Sequence, residues 1–278
     1  MMIDKLRSAY LLFGILFIIP FCTCAQSTIA ASGTNWLRAV YRLDYRLDST
    51  VATPKSEQMI LRINDGASCF RSKAEYIHDS VYANLNQLSQ NARTKAANDA
   101  ARKAGKTELF YSIFKEPAQG LVFYHDNIGS VDYQYQENTS LFNWKITLAK
   151  KMVSGYECQQ AFTTFGGRTW EAWFTRDIPV SEGPYKFYGL PGLILRVRDM
   201  HNNYVFELLS FESSPKPFAI SITSSAPLVS KAKFIQAKHN DDLTFLDRMA
   251  VAGNKFPEEM RRSHFERLKR QNNPLELK

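Results

Sequence analysis

Leu37-Arg38-Ala39-Val40-Tyr41-Arg42-Leu43-Asp44-Tyr45-Arg46-Leu47 places an apolar residue at every odd position and, at most even positions, a charge. A period of two is that of a strand with one face in a core and the other in water. Outward from this stretch the same style recurs. Met59–Ile63 continues it, and the turn Asn64-Asp65-Gly66 leads into Cys69–Arg71, a hairpin signal. Short apolar runs follow at Leu109–Phe114 and Leu121–Tyr124. Val131, Tyr133 and Tyr135 then alternate with polar neighbours, as do Phe142, Trp144, Ile146 and Leu148. Further strands are expected at Tyr156–Phe165, Arg168–Phe174, Leu193–Asp199, Tyr204–Phe211 and Phe218–Ile222. Gly, Asn, Asp and Pro in the gaps suit an antiparallel meander.

Two regions break the pattern. From Val81 to Lys103 the chain is rich in Ala, Asn, Gln, Lys and Arg, with few large apolar residues, and Gly105 follows. This reads as one inserted polar helix over about 81–104. Near the end, Leu243, Leu246 and Met249 share a helical face within Asp241–Val251. Pro257 opens a second helix that stops before Asn272-Asn273-Pro274. The expected fold is a β-rich α+β domain: a curved antiparallel sheet, one form of which is a half-barrel like that of lipoprotein carriers, with one inserted polar helix and two C-terminal helices.

The chain has 278 residues and a formal net charge of +8, with 13% aromatic residues. Its N-terminus carries Lys5 and Arg7, an apolar run from Ala9 to Phe21, and small residues at Thr23 and Ala25. These are the three parts of a secretory signal cleaved between Ala25 and Gln26, and the run is too short to span a bilayer. Cys22 follows Phe21, and Cys24 has Phe21 three positions before it, a poor fit to lipidation. The expectation is an exported protein of the periplasm or cell envelope, with one domain over 26–278. Cleavage leaves Cys69 and Cys158, which either pair in the oxidising compartment or stand apart as two buried thiols.

The basic charge gathers at Arg93–Lys106 and Arg261–Arg270. Export argues against nucleic acid as a partner. Solvated helix faces explain these runs best, with contact to an anionic membrane surface as the alternative. Motifs for chemistry are scarce. The five histidines are scattered with none paired at i, i+4, so no metal is expected, and no cofactor loop stands out. Gly166-Gly167-Arg168 lies between strands and reads as a tight hairpin, not a phosphate loop. His125-Asp126 reads as a turn cap, and Cys158, spaced with Tyr156 and Gln160 on a strand, as a structural residue. No catalytic residue is assigned.

The most distinctive segment is Gly183-Pro184-Tyr185-Lys186-Phe187-Tyr188-Gly189-Leu190-Pro191-Gly192-Leu193-Ile194-Leu195. Its glycines open backbone regions closed to other residues, Pro191 fixes its own φ, and Gly192 suits the third position of a type II turn. The result is a rigid apolar corner, either a bend between strands or a loop at the mouth of a cavity.

Gly189-Leu190-Pro191-Gly192-Leu193-Ile194 is the hexapeptide of the GLPGLI family of exported bacterial proteins, which this chain resembles. The likeness extends through Gly155-Tyr156, Cys158, Ala161, Gly167-Arg168, Trp170, Ala172-Trp173-Phe174-Thr175, Ile178-Pro179 and Gly183-Pro184. It recurs in the ending Asn273-Pro274-Leu275-Glu276-Leu277. It is dense over about 140–212 and departs at Cys69 and the polar helix. The resemblance implies export and a place in the envelope of Gram-negative bacteria; the family carries no established activity. Two functions are therefore expected. The first is binding of an apolar ligand, a lipid or a peptide on the curved sheet, with Tyr133, Tyr135, Trp144, Trp170 and Trp173 either lining the site or filling the core. The second is docking on an outer-membrane protein as an assembly factor. An enzyme ranks third.

Overall fold

The computed structural model describes residues 36–278 except 65, 214–219, 221–225, 252 and 278. The expected leader, Cys22, Cys24 and most of the expected strand at 218–222 lie outside the described residues.

Eleven strands form one open sheet: β1 (Leu37–Tyr45), β2 (Lys55–Ile63), β3 (Ser68–Ser72), β4 (Ser112–Glu116), β5 (Leu121–Ile128), β6 (Val131–Asn138), β7 (Lys145–Val153), β8 (Tyr156–Phe165), β9 (Arg168–Thr175), β10 (Leu193–Asp199) and β11 (Tyr204–Ser213). Their order is β6-β5-β4-β3-β2-β1-β11-β10-β9-β8-β7, and every neighbouring pair runs antiparallel. The chain starts at the centre, steps out to β6, crosses to the far edge at β7 and steps back to β11.

That crossing dictates curvature. Residues 139–144 alone join the two edges. A flat sheet of this size is about 48 Å wide at the usual strand spacing, whereas so short a connection reaches about 25 Å when fully extended. The sheet must therefore curl into a trough whose open seam the connection bridges. Phe142 and Trp144 belong to this bridge and turn inward, so β7 begins at Lys145, later than the sequence alternation suggested.

The β1 alternation sorts the two faces. Ala39, Tyr41, Leu43 and Tyr45 point into the main core. On the other side Arg42 pairs with Glu207 of β11 at 2.8 Å. The inner face continues through Met59, Leu61, Phe70, Ile113, Trp170, Phe174 and Phe206.

The region expected as one helix is two, α1 (Lys73–Asn84) and α2 (Gln90–Ala104). Ser72 caps α1 by accepting from the Glu75 N–H. The Ser72–Glu75 spacing is a capping-box signal that the alanine-rich composition further along obscured. α3 (Lys231–Val251) begins ten residues before the expected helix, and α4 (Glu258–Arg270) starts at Pro257 as expected. No helix among the described residues is long and apolar enough to cross a membrane.

Candidate functional site

Two things occupy the trough. The first is the connection between β9 and β10. It folds back on itself through Ile194 N–H to Glu182 O at 2.9 Å and Leu193 N–H to Ile178 O at 3.0 Å. Lys115 of β4, fully buried, reaches up from the sheet and donates to the carbonyls of Gly183 (2.9 Å) and Phe187 (3.2 Å). It also pairs with Glu182 at 2.5 Å. Burial pulls the Lys115 ammonium below its ordinary value, and Glu182 opposes that pull. Tyr41 fastens the other end by donating to Ile194 O at 2.7 Å. Phe187, with no exposed surface, sits 4.7 Å from the Trp170 ring, in a cage completed by Phe142, Phe165 and Phe206.

The hexapeptide supplies the corner of this plug. A Cβ on Gly192 would lie 1.9 Å from the Thr175 carbonyl oxygen, so no other residue fits there. Leu190, Leu193 and Ile194 are buried. The expected type II turn is not formed. The Leu193 N–H is engaged by Ile178, so Gly192 N–H closes a tighter turn around Pro191 onto Leu190 O at 2.8 Å.

The plug's apex holds an ionic cluster. Tyr185 has φ 54°, a left-handed conformation that is costly for a ring-bearing residue, and it sets Lys186 pointing inward. Lys186, fully buried, pairs with Glu137 of β6, with Glu276 of the C-terminal tail at 2.6 Å, and donates to Tyr135 Oη at 3.0 Å. Lys231 of α3 bonds the same two carboxylates, at 2.9 Å to Glu137 and 2.5 Å to Glu276. Tyr185 Oη donates to Glu276 at 2.5 Å. Burial alone would raise the Glu276 carboxyl, but Lys186 and Lys231 outweigh it and hold the group below its ordinary range.

The second occupant of the trough is space. Between the inner face of β1, β5 and β6, with the segment 107–111 that leads into β4, and the helices α3 and α4 lies a cleft of about 1640 Å³. Its floor is a tyrosine ladder: Tyr111 stacks on Tyr124 at 5.5 Å and Tyr124 on Tyr135 at 4.9 Å, with Phe234 of α3 edge-on to both of the latter. The Tyr111 hydroxyl is buried and has no hydrogen-bond partner. Phe245 of α3 and Phe265 of α4 overhang the space, and α4 buries none of its residues. The roof is attached through Lys238 to Asp126, and α4 leans on α3 through the His264–Asp242 contact at 3.0 Å and the Arg261–Asp247 ion pair at 2.7 Å.

The aromatic residues singled out from sequence do not form one surface. Tyr135 is in the ladder, and Tyr133 shares its side of β6 by strand parity. Trp170 is core, donating from Nε1 to Phe165 O. Trp144 lies in the seam bridge, bonded to Tyr188 O at 2.8 Å. Trp173 is on β9 under the Lys151 ammonium, 3.9 Å from the ring. Sequence reading missed Tyr111, Tyr124 and Phe234, because nothing local marks which strand positions meet under a distant helix.

Among the described residues Cys69 and Cys158 are both free, which corrects the candidate disulfide. Five strands separate β3 from β8. Cys158 packs in the main core, whereas Cys69 packs with Ala67, Phe114 and Ile220 in a separate cluster. Burial pushes the Cys158 thiol up to about 11, leaving it protonated and a poor nucleophile at neutral pH. Gly166 and Gly167 form the expected hairpin with φ of 57° and 76°. His125 and Asp126 lie in β5, not a turn; Asp126 faces the α3 lysine while His125, one residue earlier, points to the other face.

The fold is an open, curled antiparallel-sheet α+β architecture with a plugged half and a cleft-bearing half. A family model described as a protein of unknown function (Porph_ging) matches residues 165–196, the stretch from the β8–β9 hairpin through the hexapeptide, in agreement with the GLPGLI likeness there. No curated protein matches the chain. Among solved structures, PNGF-II in its P21 crystal form aligns over 75% of this chain with a TM-score of 0.51 and 15% identity. The C2 form of PNGF-II aligns over the same share with a TM-score of 0.50 and 15% identity. The alignments cover 34% and 33% of those chains, so this protein spans about a third of their length. The likeness is one of fold.

Proposed function

We propose that the protein is an exported, GLPGLI-type envelope protein that binds an apolar ligand in the cleft between its curled sheet and its C-terminal helices. The observation that carries this reading is the unfilled cleft itself. Protein interiors are close-packed, and about 1640 Å³ exceeds the usual range for small-molecule pockets. An aromatic ladder lies below the space and the rings of Phe245 and Phe265 border it from above. A lipid chain or an apolar peptide segment lying in this space would add contacts to both surfaces. The test is to extract purified mature protein and analyse it by mass spectrometry, then to titrate it with a fluorescent apolar dye. Saturable binding weakened by Tyr124→Ala supports the reading. Absence of both a co-purifying ligand and saturable dye binding overturns it.

A second reading, docking of a partner through a sheet edge, is favoured by β7. This edge strand exposes Leu148 at 95% and Met152 at 66%. Against it, Lys145, Lys150 and Lys151 and a register break between Ile146 and Lys150 blunt that edge. Recovery of a partner from envelope extracts, lost on Leu148→Lys, would support it.

A further inference from the structure

We propose that the C-terminal segment 272–277 is a strap: an extended peptide held in cis by a dedicated groove, whose docking pins α4 over the cleft and sets access to it.

The asymmetry between helix and tail is the starting point. α4 buries no residue, yet residues 272–277, which follow its C-cap Gln271, are bonded along almost their full length. Asn272 Oδ1 accepts from Ser49 N–H at 3.0 Å. Asn273 is read on every polar atom. Its N–H donates to Leu47 O at 3.0 Å, its Nδ2 to Arg46 O at 2.6 Å, its Oδ1 accepts from Arg168, and its carbonyl accepts from Tyr204 Oη at 2.6 Å. The same Arg168 donates to the carbonyls of Pro274 (2.6 Å) and Leu275 (3.0 Å), and it is oriented from behind by Asp199 at 3.1 Å. Glu276 takes the Lys186, Lys231 and Tyr185 donors described above, and Leu277 N–H closes on Gly166 O at 2.7 Å.

Arg168, Tyr204 and the Gly166 carbonyl belong to the sheet and its hairpin, and Lys186 to the plug. All of these exist without the tail. They recognise backbone carbonyls, one amide side chain and one carboxylate, the chemistry of an extended Asn-Pro-x-Glu peptide. Pro274, Leu275 and Glu276 also line the cleft, so the strap forms part of its wall. Releasing it leaves α4 tethered to α3 alone, by exposed or part-buried contacts that are individually weak. Lys186 and Lys231 each keep Glu137 if Glu276 is lost, so the groove survives an empty strap.

The role in ligand access rests on the proposed cleft function; the anchoring of α4 does not. The experiment uses full-length mature protein carrying Asn273→Ala and Glu276→Ala, both on the tail, so that every groove residue is intact. Hydrogen exchange is followed by mass spectrometry. Exchange in 258–270 is expected to rise by roughly an order of magnitude or more, with β1, β9 and β11 unchanged. A synthetic peptide of residues 272–277 should bind the variant saturably, and its Glu276→Ala version at least roughly tenfold more weakly. Dye association with the cleft should be faster in the variant than in the parent. Unchanged exchange in α4, or a rise spread equally over the sheet, overturns the strap. So does failure of the peptide to bind. If exchange and peptide behave as expected but neither protein binds dye, the strap stands and the cleft function falls.

Discussion

The plug between β9 and β10 and the roof formed by α3 and α4 cover the same sheet in opposite ways. The plug is fixed from below by buried Lys115 and from its end by Tyr41. Its shape is enforced by Gly192, and it fills its half of the trough with rings in contact. The roof spans its half on one buried aromatic, Phe234, a few ion pairs and the strap, and leaves a cleft beneath. A cover that is part of the core is scaffold. A cover held at its ends over apolar space can open.

The largest effect expected from this contrast is in the plug. Gly192→Ala forces a methyl into the Thr175 carbonyl and should cost about 4 kcal/mol or more, the range of severe core disruptions, read as loss of a cooperative urea transition. Next, Lys115→Met strands Glu182 in the core and should cost about 3 kcal/mol. Adding Glu182→Met should recover a substantial part of that loss, and no recovery would mean that the lysine acts through something other than its charge.

On the roof side the effects shrink. Glu276→Ala removes the acceptor of three donors, of which Lys186 and Lys231 retain Glu137, and should lower global stability by about 2 kcal/mol. The pH dependence has a definite sign. Glu276 is held below the ordinary glutamate value of 4.5 by Lys186 and Lys231, against the effect of burial. Its contribution is therefore full above that value and is lost as pH falls through the lower folded value. Strap and α4 protection should persist in mildly acidic buffer and fade only below it. Of the groups around it, burial keeps the phenols of Tyr111, Tyr124, Tyr135 and Tyr185 protonated far above neutral pH. Lys231 stays charged because Glu276 and Glu137 overcome burial. The smallest expected change is Phe265→Ser in α4, within about 0.5 kcal/mol for stability yet a measurable weakening of dye binding. An equal loss in both would place Phe265 in the core and remove the distinction between plug and roof.

Much of the sheet was legible in the sequence. Alternation in β1 assigned both its faces, and the β8–β9 hairpin could be read from Gly166-Gly167. The unusual character of the hexapeptide was legible too, though its turn type was not, because Ile178 takes the N–H that a type II turn needs. The cleft was largely illegible. Tyr124 and Tyr135 face each other across a ladder, but Tyr111 precedes β4, and Phe234 comes from α3, far along the chain. The strap was recognisable only as a family-like ending, with no hint that Arg168 would read it.

By itself, then, the sequence determined what short-range physics controls: where most of the strands run, which side of β1 is apolar, and where the β8–β9 hairpin must turn. Tertiary structure alone decided that a six-residue bridge curls the sheet into a trough, that one cover plugs half of it, and that the chain's last residues clamp the other. Those outcomes depend on contacts between residues distant in the chain, where no local preference distinguishes a tyrosine in a cleft from a tyrosine in a core.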